Sequence, residues 1–307
     1  MAEKGVLLMA FGGPEKSEEI EPFVRRVMEG RKLPEIALAR IVSKYRRIGG
    51  ASPLPAIVRR QAQLLAEELH RRGFAWAVKV GMGYWRPEIE EALQELEREG
   101  VEEVATISLS PYESSFTTGL YRQKLTRYQP QRKNFRILPA PMWHRHPLYI
   151  RVLCRLMAEA LPEEVRREEV ALVFSAHSLP VSGNGKERVY VQQLEETVEL
   201  VLQESRRQWG SVTLAFQSRN RGRRIWLEPD TGEVLRELAA KGWRRVLLVP
   251  LGFTCDHVET LYDIDVEIKQ IALEAGMEFY RAGVLNTAPE FIAMLADLSQ
   301  KVLAGKM

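Results

Sequence analysis

Ala171-Leu-Val-Phe-Ser-Ala-His-Ser-Leu-Pro180 is an apolar run that ends abruptly in a histidine, a serine and a proline. A strand with one wet face alternates apolar and polar residues. This run does not, so it reads as a strand covered on both faces, as in a parallel sheet. Val6–Ala10, Ala77–Val80, Val104–Leu109 and Val246–Leu251 share the pattern. Between such runs the spacing predicts helices over Leu54–Leu69, Pro87–Glu97, Val191–Leu202, Gly232–Ala240 and His257–Ala275. In the third of these, positions 191, 194, 198 and 201 lie three or four apart and mark one buried face. Pro87 stands where a first helical residue should. Strands alternating with helices in this way predict an α/β fold built on parallel sheets.

The chain also echoes itself. Val6-Leu-Leu-Met-Ala-Phe-Gly-Gly-Pro14 resembles Ala171–Pro180, and Gly100–Leu109 resembles Gly242–Leu251. Two such pairs predict two similar halves, 1–145 and 146–307, divided near His144–Pro147. The other reading is that buried parallel strands look alike whatever their origin.

The 307 residues suffice for two domains of ordinary size. With 45% apolar and 28% charged residues, 21 Gly and 16 Pro, the composition is globular and excludes collagen-like and mainly disordered chains. The net charge of +3 calls for neither nucleic acid nor an acidic membrane surface. Cys154 and Cys255 are too few for a disulfide framework or for four thiolates around an iron–sulfur cluster, and they suit a reducing compartment. The apolar stretch Val6–Phe11 is too short for a signal peptide core. The longest apolar run, Val246–Cys255, has about half the length needed to cross a bilayer. The expectation is a cytoplasmic protein with no transmembrane segment.

Open parallel sheets bind ligands beyond the carboxyl ends of their strands. Two polar segments emerge there in the second half: Ala176-His-Ser-Leu-Pro180, and Gly252-Phe-Thr-Cys-Asp-His-Val-Glu259. If both strands are central, His177 and Glu259 face one crevice. Imidazole plus carboxylate suits a divalent first-row metal or a general acid–base pair. The same residues also read as a loop histidine bonded to a carbonyl and a glutamate on a wet helix. Beyond them, Val258, Leu261, Ile268, Ile271 and Ala275 predict a buried stripe. Asp256, Glu259, Asp263, Glu267 and Glu274 form an acidic row, which suits a path for a hydrated cation or an ordinary solvated face.

Taken together, these segments resemble ferrochelatases. Phe174-Ser-Ala-His177-Ser-Leu-Pro180 is similar to the family's metal-site motif. Pro250-Leu-Gly-Phe-Thr-Cys-Asp-His-Val-Glu259-Thr-Leu-Tyr-Asp263 is similar to its second signature. Ile48–Leu54, Ser114–Gly119 and Gln217-Ser218 with Trp226-Leu227 match further family segments, in family order. The resemblance implies two Rossmann-like halves, each a parallel sheet flanked by helices, with an active-site cleft between them. It implies insertion of Fe2+ into a porphyrin with release of two protons, completing a heme. It makes His177 and Glu259 the metal-site and catalytic pair, and Phe11, Lys44, Tyr45, Ser52 and Tyr121 porphyrin contacts. Phe253 and Trp226 become apolar walls.

The gram-positive branch, which it resembles through Ser115–Tyr121, metalates coproporphyrin III; Gly83–Pro87 and Phe253–His257 are closer to protoporphyrin IX enzymes. Phe11 stands where that branch often has a tyrosine, Met28 where it has an arginine, and Glu228 where the family has a glycine. No cofactor beyond the substrate iron, no iron–sulfur cluster and a monomer are expected. Arg219, Arg221, Arg223 and Arg224 form a basic loop. The rival readings are a cobalt chelatase, whose family relies on paired histidines, and a non-catalytic tetrapyrrole-binding protein.

Overall fold

The computed structural model describes residues 3–29, 33–182, 185–206, 208–219 and 224–305; Arg221 and Arg223 of the basic loop lie outside them. The described residues form two four-stranded parallel sheets. In the first, β1 (Lys4–Ala10), β2 (Ala77–Met82), β3 (Glu103–Ser108) and β4 (Arg136–Pro139) lie in the order β2-β1-β3-β4. In the second, β5 (Val170–His177), β6 (Ser211–Gln217), β7 (Arg245–Pro250) and β8 (Glu278–Arg281) repeat it as β6-β5-β7-β8. The sequence echo is therefore a repeated topology: β1 matches β5 and β3 matches β7. The halves are Rossmann-like.

The five expected strands are present. Among them, β1, β3, β5 and β7 are the inner strands, and their apolar runs reflect cover on both faces. The strands that periodicity missed, β4, β6 and β8, sit at sheet edges, where half-exposed residues interrupt the apolar signal. In the first sheet, Leu7, Ile89, Leu93, Leu96 and Val104 build one core; in the second, Val173, Leu235, Leu248, Ile264 and Ile268 build another.

Helix Ile89–Arg98 starts two residues later than expected. Glu88 is extended and exchanges hydrogen bonds with Glu91 as a reciprocal cap, so Pro87 stays outside, its carbonyl accepting the Met82 N–H at 2.7 Å.

The chain divides into two compact units, but not at 145. One runs to Trp143 and resumes at Asn286; the other is His144–Leu285. The expected second half, 146–307, thus loses its last helix, Pro289–Leu303, to the first unit. The helix packs on helix Leu54–Arg71 and on β3. Its Phe291 ring meets Trp143 at 5.7 Å, Arg72 reaches Asp297 at 2.6 Å, and Lys4 Nζ donates to the Leu303 carbonyl at 2.8 Å. The apolar period of this helix says that one face is buried; it does not say against which half. No helix among the described residues is long and apolar enough to cross a membrane.

Leu295, fully buried in that face, reports on the return of the chain. Leu295→Ala should lower the unfolding free energy by about 2–5 kcal/mol in urea melts. A loss within about 0.5 kcal/mol would show that the helix is dispensable to the first unit.

Candidate active site

The chain leaves β5, crosses to β6 on one side, then returns to β7 on the other, so connections diverge from the carboxyl ends of β5 and β7. Such a switch point is where open α/β sheets hold ligands. His177 is the last residue of β5. The segment after β7 turns at Gly252, whose φ of +85° favours glycine, and delivers Glu259 as the first residue of a π-helix, Glu259–Ile268, which continues as helix Lys269–Glu274.

The expected stripe holds in part: Ile268 is buried and Ile271 and Ala275 pack against the core, but the deepest positions are shifted from it. The buried positions are Thr260, Asp263, Ile264, Ile268 and Ala272, while Val258, Leu261, Ile271 and Ala275 are only half-buried and Val266 faces solvent. The run 260, 264, 268, 272 steps by four, as suits a helix wound wider by its i→i+5 bonds. That winding buries Asp263 of the expected acidic row, where it accepts the Ser218 hydroxyl at 2.5 Å.

His177 Nε2 lies 3.3 Å from Glu259 Oε1, and His257 Nε2 lies 3.4 Å from Glu259 Oε2. One carboxylate therefore bridges two imidazoles. His177 Nδ1 donates to the Ser178 carbonyl at 2.6 Å, and His257 Nδ1 donates to the Cys255 carbonyl at 3.1 Å. A carbonyl can only accept, so both Nδ1 atoms carry protons and both Nε2 atoms turn to Glu259. Tyr190 braces the strand end by donating to the His177 carbonyl at 3.0 Å. The His177 and Glu259 side chains keep 33% and 32% of their surface exposed, which leaves the pair open to an incoming group. Among the described residues, no group of three His, Cys, Asp or Glu side chains is arranged to cage a metal ion; the donors come as pairs sharing Glu259.

Sequence reasoning selected His177 and Glu259 but left His257 outside the site residues. Its only signal was proximity in sequence to Glu259. Cys255, two residues before it, is buried, and the Cys154 thiol points to the Val201 carbonyl at 3.6 Å. The Phe253 ring lies 5.2 Å from the His257 ring.

In the first unit, Phe11 follows β1, half-buried, with its ring 4.5 Å from Tyr84 and edge-on to Phe23 at 6.4 Å. Lys44 is half-buried in the last turn of helix Glu35–Arg47. Three other expected porphyrin contacts are packed inside this unit. Tyr45 meets Phe23 edge-on, and Tyr121 belongs to the core beneath Gly83. Ser52 donates its N–H to the Pro14 carbonyl at 2.7 Å and leaves no room for a side chain at Gly13. Of the expected basic loop, Arg219 turns back onto Glu228 and Glu233.

The family model described as Ferrochelatase matches residues 3–303. The chain belongs to the ferrochelatase family. It is 38% identical to the ferrochelatase of Geotalea uraniireducens, with all of both chains covered. It is 33% identical to the coproporphyrin III ferrochelatase of Anoxybacillus flavithermus over 96% of this chain and 94% of that one. Among solved structures, it is similar to SirB from Bacillus subtilis with Fe3+, at a TM-score of 0.63 and 14% identity, with 99% and 97% of the two chains covered. That likeness is one of fold. Ferrochelatases are lyases that insert iron into porphyrin on the way to heme, and this chain is one of them.

Electrostatics sets the charge of the pair. Burial works against charge on the imidazole, but the Glu259 carboxylate outweighs it, helped by the Ser178 carbonyl and Asp263, and the pKa rises to about 9. Burial likewise disfavours charge on Glu259, yet His177 and His257 hold it well below the usual carboxylate range. At neutral pH the metal-free ferrochelatase thus carries an imidazolium–carboxylate pair rather than a free base.

The sign for stability follows. His177 contributes fully below its ordinary value of 6.5 and loses that contribution as pH rises through about 9. Glu259 contributes above the ordinary carboxylate range and loses it only as pH falls through its lowered value. In metal-free protein, the His177 imidazole should titrate by NMR near 9, and Glu259→Gln should move it down. A midpoint unchanged by Glu259→Gln would dissolve the pair.

Proposed function

We propose that His177 and Glu259 carry the insertion of Fe2+ into coproporphyrin III, in the cytoplasm, by a monomer that needs no cofactor beyond the substrate iron. The observation that carries the site is the 3.3 Å pairing of the two side chains at the switch point of the second sheet, in a chain of the ferrochelatase family. Metalation removes two pyrrole protons and strips water from iron. A carboxylate receives the cation, and an imidazole whose proton is held chiefly by that carboxylate becomes a base once the cation is bound. Phe11 supplies an apolar face to the macrocycle and, having no oxygen, no axial ligand to the product. Lys44 and the neighbouring Arg46 and Arg47 offer cations to propionates. Tyr45, Ser52 and Tyr121 shape the wall on which these residues stand.

Coproporphyrin is favoured by the Ser115–Tyr121 segment and by the relative from Anoxybacillus flavithermus that bears that substrate in its name. With both porphyrins kept monomeric, coproporphyrin III should turn over faster; equal or faster turnover of protoporphyrin IX reverses the choice. A panel of divalent metals in the same absorbance assay separates iron from cobalt chelation.

His177→Ala should leave porphyrin binding intact and cut metalation by roughly 10²–10⁴-fold. Glu259→Gln should impair the iron-dependent step, and the double variant should be little worse than His177→Ala, since both groups serve one event. Near-normal insertion by folded His177→Ala removes this site. Phe11→Tyr should retain turnover and shift the optical spectrum of the bound ferric product; an unshifted spectrum places position 11 away from the metal.

A further inference from the structure

A polar chain runs through the interior of the second sheet without facing solvent. Gln217, the last residue of β6, donates from Nε2 to the backbone carbonyl of Glu259 at 3.1 Å. Its Oε1 accepts the Ser175 hydroxyl at 2.9 Å, and Ser175 Oγ lies 2.9 Å from the hydroxyl of Thr231, the first residue of helix Thr231–Ala240. Gln217, Ser175 and Thr231 are 1%, 0% and 1% exposed.

The direction of the chain is set by elementary chemistry. The Glu259 carbonyl can only accept, so the amide nitrogen must face it and the amide oxygen must face Ser175. Ser175 spends its single proton on that oxygen and therefore accepts from Thr231. The order Thr231→Ser175→Gln217→Glu259 leaves the amide one orientation. Buried polar chains of this kind are stable only when every member is satisfied.

Gln217 also holds the other half of the pair. In the β5–β6 ladder it stands opposite His177, and its backbone carbonyl accepts the Ser178 N–H at 2.9 Å. Ser178 is the residue whose own carbonyl takes the His177 Nδ1 proton. One residue thus fixes the imidazole through its main chain and the carboxylate through its side chain. The Glu259 carbonyl lies at the entry to the π-helix, where a lost bond would let the first turn, and the carboxylate with it, shift. The direct contact within the pair is a single ion pair between part-exposed side chains, so its separation depends on what holds the two backbones.

We infer that Gln217 is a positioning residue for iron insertion, which sets the His177–Glu259 spacing through the buried Thr231–Ser175–Gln217 chain. The inference rests on the reading of His177 and Glu259 as the iron site. Gln217 touches neither iron nor porphyrin. Its loss acts on the iron-dependent step and spares porphyrin affinity, on the scale of about 10–100-fold known for groups that orient metal ligands.

The test measures kcat and KM for Fe2+ at saturating coproporphyrin III, with porphyrin affinity from fluorescence quenching and the melting temperature as controls. Gln217→Met keeps length and removes both side-chain bonds. Ser175→Ala and Thr231→Val act one and two links further from Glu259 and leave His177, Glu259 and Gln217 unchanged. Expected are a 10–100-fold fall in kcat/KM for iron in Gln217→Met with porphyrin affinity within about twofold, graded smaller losses in Ser175→Ala and Thr231→Val, and a Gln217→Met/Ser175→Ala double variant no worse than Gln217→Met. If Gln217→Met fails to fold, the two distant variants decide by their iron kinetics.

Glu259→Gln runs in parallel. Iron kinetics intact in the chain variants but impaired in Glu259→Gln would overturn the role of Gln217 and keep the site. Intact kinetics in both would overturn the site, and the inference with it. Parallel losses of porphyrin affinity and iron turnover in Gln217→Met would make the residue merely structural.

Discussion

One carboxylate placed between two imidazoles is the constraint on which the second unit turns. Separately, a half-buried glutamate and a half-buried histidine would each be pushed toward the neutral form. Together they keep their charge, because the attraction across 3.3 Å exceeds what burial takes away. The price is rigidity. The strand end that carries His177 and the helix start that carries Glu259 must be held in register by groups that do not react, and the interior of the sheet is correspondingly polar around Ser175, Gln217 and Thr231.

The π-helix belongs to the same requirement. Its wide winding brings Asp263 inward next to Ser218 while Glu259 stays part-exposed, so two carboxylates of one helix occupy very different surroundings. Arg281 pairs with Asp265 at 2.7 Å and reaches toward Asp256 at 3.6 Å, bracing both the helix and the segment that leads into it. Thr260 accepts the His257 N–H at 3.0 Å and secures the turn that carries the second imidazole.

Much of this was legible in advance. The inner strands β1, β3, β5 and β7 announced themselves because cover on both faces demands unbroken apolar residues, and their pairwise likeness revealed the repeat. His177 and Glu259 stood out through the family motifs that contain them; their place beyond buried strands left a plain structural reading open as well. Edge strands β4, β6 and β8 were silent, since half-wet strands need no such composition. Tyr45, Ser52 and Tyr121 matched a family pattern, yet matching says nothing of depth, and their burial became visible only with their neighbours in place.

The sequence by itself determined the class of fold, the membership of the ferrochelatase family and the His177–Glu259 pair singled out by its motifs, because these depend on local composition and on motifs read in order. Tertiary structure alone decided the rest. It returned helix Pro289–Leu303 to the first unit, wound Glu259–Ile268 as a π-helix, brought His257 to Glu259 and raised the pKa of His177 to about 9. Each of these depends on which distant surfaces and charges meet, and burial and Coulomb energy are properties of assembled neighbours rather than of the order of residues along the chain.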